Sequence, residues 1–209
     1  MMATQEKKGY LRGVRGVLLT KLNADGSMPG TPEEWWVDTA QEVDVTAEVV
    51  AGESADLRGG DRLLLRIEED DVIVGATMTF RDARFDAMAA ELIGGGTLIT
   101  EFVGEGESEV EHIIGWDAPT VEEQAVQDPF QAEVYVQSFN EAGGREAYLK
   151  YTFRYCKGNA AEVSHSGRSW GTPEFTIKAR ENPATLESTH KKEFVDDLPA
   201  IAPSESEAE

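Results

Sequence analysis

From Glu42 the chain alternates, with Val43, Val45, Ala47 and Val49 on one side and Glu42, Asp44, Thr46 and Glu48 on the other. A period of two predicts a strand with one apolar face and one watered, acidic face. The period returns late, where Ala147, Leu149, Tyr151, Phe153 and Tyr155 alternate with Tyr148, Lys150, Thr152 and Arg154. That apolar face is the predicted core of the C-terminal half. Shorter β-type runs lie at 16–22 (GVLLTKL), 62–67 (RLLLRI), 72–80 with Gly75 inside, 97–103, 110–115, 132–139 and 173–180, separated by segments rich in Gly, Glu, Asn and Ser. Pro29, Gly30 and Pro32 keep one stretch irregular until Trp35 and Trp36, which are expected to anchor it by packing.

One segment has the helical period. Phe85, Met88, Ala89 and Leu92 fall at i, i+3, i+4 and i+7, Asp82 is placed to cap the start, and Gly94, Gly95 and Gly96 end it. A helix this short needs a sheet to lie on. The strands at 42–49 and 62–67 are predicted to form a long hairpin whose polar tip, 51–61, contains Gly52, Glu53, Ser54, Asp56, Leu57, Arg58 and Gly59. The helix sits between strand runs and does not alternate with them. The expected class is therefore mainly β, an antiparallel sandwich or barrel with one packed helix and a long hairpin arm.

Length changes the picture little, since 209 residues suit one domain with appendages. Charge changes it more. Forty acidic residues against 19 Lys and Arg give a net charge of −21, which repels phosphate backbones and anionic lipid, so specific DNA binding and membrane-surface binding are not expected. Residues 193–209 hold six acids and no base, and 186–209 is expected to be an acidic, disordered tail behind a folded unit at 15–185 and an N-terminal segment at 1–14. No apolar run approaches the roughly 20 residues of a membrane span, and the lone Cys156 excludes an internal disulfide. A reducing cytoplasm is the expected place of synthesis.

Candidate chemistry is sparse. His112, His165 and His190 are scattered without a ligand spacing, no EF-hand pattern surrounds acids such as Glu69 and Asp70, and no cofactor is expected. Ser164, His165 and Ser166 are neighbours on an extended chain and point to opposite sides, with no GxSxG elbow. The glycine cluster follows a helix, the wrong order for a phosphate loop. No catalytic set stands out, and a non-enzymatic role is expected.

The order of pieces resembles the major tail tube proteins of long-tailed, siphovirus-type bacteriophages. The carrying segments are GVLLTKLNADGS, TAQEVDVTAEV, TFRDARFDAMAAELIGGG, AYLKYTFRYCKGNAAE and GTPEFTIKAR, spread over roughly residues 10–185. The resemblance implies a virion protein that self-assembles into hexameric rings, stacked into a tube through which DNA passes unbound during ejection. It also implies tail terminator, tape measure and baseplate or tip proteins as partners. Under it, the 51–62 tip is an arm that reaches the neighbouring ring, and Glu42, Asp44 and Glu48 are candidates to line an acidic channel. From the residues alone the arm is equally a surface loop, and the acidic face is more readily the outer, watered side of the sheet. A monomeric β-barrel that holds a small ligand in its interior is the rival reading, and an acid-rich hydrolase the third.

Overall fold

The computed structural model describes residues 7–59, 61–104, 110–159, 161–163, 165, 167 and 170–201. In chain order the strands are β1 (Tyr10–Lys21), β2 (Glu34–Val37), β3 (Ala40–Val50), β4 (Ser54–Gly59), β5 (Arg62–Glu68), β6 (Val72–Asp82), β7 (Thr97–Val103), β8 (Val110–Asp117), β9 (Phe130–Phe139), β10 (Arg145–Gly158), β11 (Glu162–Val163), β12 (Pro173–Arg180) and β13 (His190–Val195). Helix α1 (Ala87–Gly94) follows β6, and α2 (Val121–Ala125) follows β8.

Nine strands join in one antiparallel sheet that runs β2-β1-β9-β10-β12-β6-β3, with β13 added on β10 and β11 on β12. The sheet does not close into a barrel. Instead it doubles over at β10, the longest strand. Arg145 to Phe153 and, after a register shift, Cys156 pair with β9, while Cys156, Lys157 and Gly158 pair with β12. That irregularity lets one strand serve two layers, since a bulge bends a strand and increases its twist.

The layers meet over a single core. Val17 and Leu19 of β1 and Phe130, Ala132 and Val134 of β9 come from one side, and Ala76, Met78 and Phe80 of β6 and Phe175, Ile177 and Ala179 of β12 from the other. All are buried, as alternation predicts for strands with one inner face. Phe80 and Phe175 sit directly opposite each other, stacked with ring centroids 4.7 Å apart. Each such phenyl ring stabilises the fold by about 2–3 kcal/mol through removal of apolar surface from water.

A second, smaller cluster lies on the other face of β1, β9 and β10, where Leu18, Trp36, Tyr135 and Tyr148 are covered by Val195 and Leu198. Lys150 fastens this cover, reaching Glu193 at 3.0 Å and Glu133 at 3.5 Å, while the Tyr135 hydroxyl donates to Glu133 at 2.7 Å. Burial, then that carboxylate, pushes the Tyr135 hydroxyl well above the ordinary tyrosine range. The 186–209 stretch, expected from its charge to be a disordered tail, thus contains β13 and the two residues that cover this cluster. Acidic composition concealed it because β13 needs only Phe194, Val195 and the partner strand. The end of that stretch, 202–209, the first six residues, Ser164 and Ser166 lie outside the described residues.

Several expectations change at the level of pairing. Strand β3 pairs with β6 and not with the 62–67 run, because Val43, Val45 and Ala47 fall opposite Phe80, Met78 and Ala76. The 62–67 run, as β5, pairs with β4 in a separate two-stranded ribbon. The helix begins later than predicted: its cap is Asp86, whose side chain accepts from the Met88 and Ala89 amides, and not Asp82. Trp35 donates its indole N–H to the second Asp86 oxygen at 3.0 Å, a contact 51 residues away that no local pattern signals. The later start turns the helix, so that Ala89, Ala90 and Ile93 are buried, Met88 and Leu92 are half-buried, and Phe85 is 46% exposed beside Trp116. Gly95 ends the helix as expected, with φ of 74° and its N–H bonded to Glu91 at 2.8 Å. Helix α2 was legible as the capping box Thr120-Val-Glu-Glu123, in which each side chain bonds the other residue's backbone.

Candidate functional site

The sheet made by β3, β6 and β12 turns one face to the core and leaves the other bare, and cross-strand partners share a face. On the bare face the rows are Glu42–Arg81–Glu174, Asp44–Thr79–Thr176, Thr46–Thr77–Lys178 and Glu48–Gly75–Arg180. Lys157 of β10 continues the third row, directly opposite Lys178. The three acids predicted from alternation are therefore together on one strand, but each has a different setting.

Glu42 accepts from Arg81 at 2.8 Å, and Arg81 reaches Glu174 at 2.7 Å on its other side, which raises the Arg81 value further. Glu48 accepts from the Thr77 hydroxyl at 2.7 Å. Asp44 has no cation within 4 Å among the described residues. At the opposite margin Lys157, Lys178 and Arg180 surround a shallow hollow of about 420 Å³ with Tyr155, Gly158 and Asn159. No carboxylate lies within 4 Å of these three cations among the described residues. The face holds five acids and four bases, Glu42, Asp44, Glu48, Glu174 and its cross-strand partner Glu162 against Arg81, Lys157, Lys178 and Arg180. It is mixed, not uniformly acidic, because every base on β12 and β10 was invisible until pairing brought those strands beside β3.

Two ribbons leave this body. Beyond Ala47, strands β3 and β6 run on to Val50 and Val72, and the β4–β5 ribbon extends them. The predicted arm residues Gly52, Glu53, Ser54, Asp56, Leu57, Arg58 and Gly59 all lie on this extension, with Asp56 ion-paired to Arg66 at 3.1 Å. Gly52 packs on the Glu69 backbone so closely that a Cβ would stand 1.8 Å from the Glu69 carbonyl oxygen. The second ribbon, β7–β8, is separate in sequence and sheet. Both carry large apolar side chains in water: Leu57, Leu64, Leu65 and Ile67 on one, Phe102, Val103, Val110 and Ile114 on the other, all more than half exposed. The sequence marked 62–67, 97–103 and 110–115 as strands and 51–61 as a polar tip, and gave no sign that these side chains are left uncovered among the described residues.

Elsewhere the structure offers little chemistry. The interior is filled by side chains, so the ligand-holding barrel has no counterpart in it. A cleft of about 240 Å³ between the two helices is lined by Lys21, Glu33, Glu91, Glu123 and Asp128 around Met88 and Leu92. No cluster of His, Cys, Asp and Glu suited to a metal ion occurs among the described residues. Cys156 is fully buried, which pushes its thiol far above the range of a nucleophile. No helix among the described residues is long and apolar enough to cross a membrane.

No family model matches the sequence, and no curated protein matches it. Among solved structures, a chain in the cryo-EM structure of the anti-feeding prophage baseplate, six-fold symmetrised, aligns with 93% of this chain and 95% of its own length at 12% identity. The TM-score of that alignment is 0.33, a likeness too distant to carry an argument about fold or function.

Proposed function

We propose that this chain is a structural subunit that assembles with copies of itself into stacked hexameric rings, the tube of a bacteriophage tail. The observation that carries the reading is the margin of the sheet. Strand β3, 11 residues long, ends it; among the described residues no strand pairs with its outer edge, and Val45 and Val49 are exposed on the face that should be inner. A long open edge bearing apolar side chains is a template for another strand, and a lone soluble protein normally blocks it. Edge-to-edge closure into a ring covers it with the same backbone bonds that build the subunit.

The ribbons fit the same reading. Exposed leucines and valines on a two-stranded ribbon gain little from their own chain and much from a neighbouring copy. The β4–β5 ribbon is the arm toward the next ring, and the bare face bearing Glu42, Asp44 and Glu48 lines the channel. With five acids against four bases, that wall carries no net positive charge on which passing phosphates would dwell. The sequence resemblance supplies the six-fold number, the virion location and the terminator, tape measure and tip partners.

Size-exclusion chromatography followed by negative-stain imaging of concentrated protein tests this. Rings or tubes are expected. A compact monomer at every concentration would refute it and would favour a solitary binding module.

A further inference from the structure

The bare face is mixed in charge but divided in space. Asp44 and Glu48 stand on β3, where the sheet ends, and Lys157, Lys178 and Arg180 stand two to three strands away. At about 4.8 Å per strand the two groups stand roughly 10–15 Å apart along the sheet, and no ion pair within 4 Å joins them among the described residues. Like charges directly opposite across a strand pair are destabilising, and Lys157 faces Lys178 in that way. In a chain with 40 acids and 19 bases, three cations with no carboxylate within 4 Å among the described residues are the unexpected part.

We infer that this division selects the side-by-side neighbour, with Asp44 and Glu48 of one copy meeting Lys157, Lys178 and Arg180 of the next. The inference rests on the self-assembly reading and adds the contact that orders it. A second copy is favoured over nucleic acid because the net charge of −21 repels phosphate while another copy brings its carboxylates on a matching strand. In the side-by-side arrangement of a ring the contact is head-to-tail, with the acids of each copy meeting the cations of the next. Repetition of one head-to-tail contact gives a closed ring or a helix, not a dimer.

The test uses the full chain at fixed ionic strength, with sedimentation velocity and negative stain as readouts and thermal melts as a check on folding. K178E/R180E makes both margins acidic, and D44K/E48K makes both basic. Each alone should raise the concentration needed for assembly at least tenfold, and an equimolar mixture should recover it, since alternating copies again oppose unlike margins. Where a reversed variant melts early, K178Q/R180Q and D44N/E48Q replace it, with loss of assembly expected in the same direction. Variants that assemble like the wild type, or folded reversed variants whose mixture stays unassembled, would overturn the charge-paired contact while leaving self-assembly intact. A wild type that forms no assembly overturns both.

Discussion

Asp82 sits fully buried at the end of β6, where one carboxylate oxygen accepts from the Ala83 amide at 2.7 Å and the other has no hydrogen-bond partner among the described residues. Burial raises its value above the ordinary one, ahead of the hydrogen bonds that lower it. A raised carboxyl favours the folded state fully below the unfolded value of about 3.9, and that contribution is lost as pH rises through the folded value. Asp82→Asn keeps the acceptor and removes the charge, so at neutral pH it should raise the melting temperature by a few degrees, for about 1 kcal/mol or more. Melts from about pH 3.5 to 8 should show the difference shrinking toward the acid end. The prediction fails if the gap is constant with pH. Asp82 and Asp86 also show why the helix start was hard to place: both are capping residues one turn apart, and the choice falls to Asp86 because α1 has to lie under Trp35. Gly16 makes the same point about close packing. A Cβ there would stand 2.2 Å from the Trp36 ring, so Gly16→Ala should cost roughly 1–3 kcal/mol by forcing the indole aside, measurable as a lower denaturant midpoint.

At the scale of elements, strands with strict alternation were legible, and their partners were not. The runs at 72–80, 97–103, 132–139 and 173–180 lie within β6, β7, β9 and β12, because side-chain period is a local property. Which strand meets which depends on long-range matching, as when Val45 finds Met78 instead of the nearer Leu65. Strand β4 was read as a polar tip since its glycines and charges carry no β signal; it is extended because β5 pairs with it. Since Val50 already faces Val72, the whole 51–71 arm can be replaced by an Asn-Gly turn without disturbing the pairs below it. The shortened protein should keep its circular dichroism spectrum and melt within a few degrees of the wild type, yet form no stacked tubes. Single rings from that variant would confine the arm to stacking. The C-terminal end divides similarly. Removal of 201–209 should leave stability and assembly unchanged, whereas removal of 190–209 uncovers Tyr148 and Leu18 and should lower the melting point by about 5–10 °C.

For the whole molecule, fold class was within reach of the sequence and the charged bare face was only half so. Alternation showed the acids of β3, but their counterparts Lys178 and Arg180 became part of one surface only when β12 came to lie beside β6. Helix count fell short by α2, though its capping box stood in the sequence. What no pattern conveyed is that the sheet folds over at β10 and brings Cys156 to rest against Ala179 and Phe130 as cross-strand neighbours in both layers.

That position makes the chain's sole thiol a native gauge of how often the sandwich breathes. A thiol-reactive dye can reach it only while the layers part, and the protonated sulfur of the closed state gives no background reaction. Labelling should therefore be slow in dilute protein and slower still once copies brace one another, turning a single colour change into a clock for the lifetime of the assembled state.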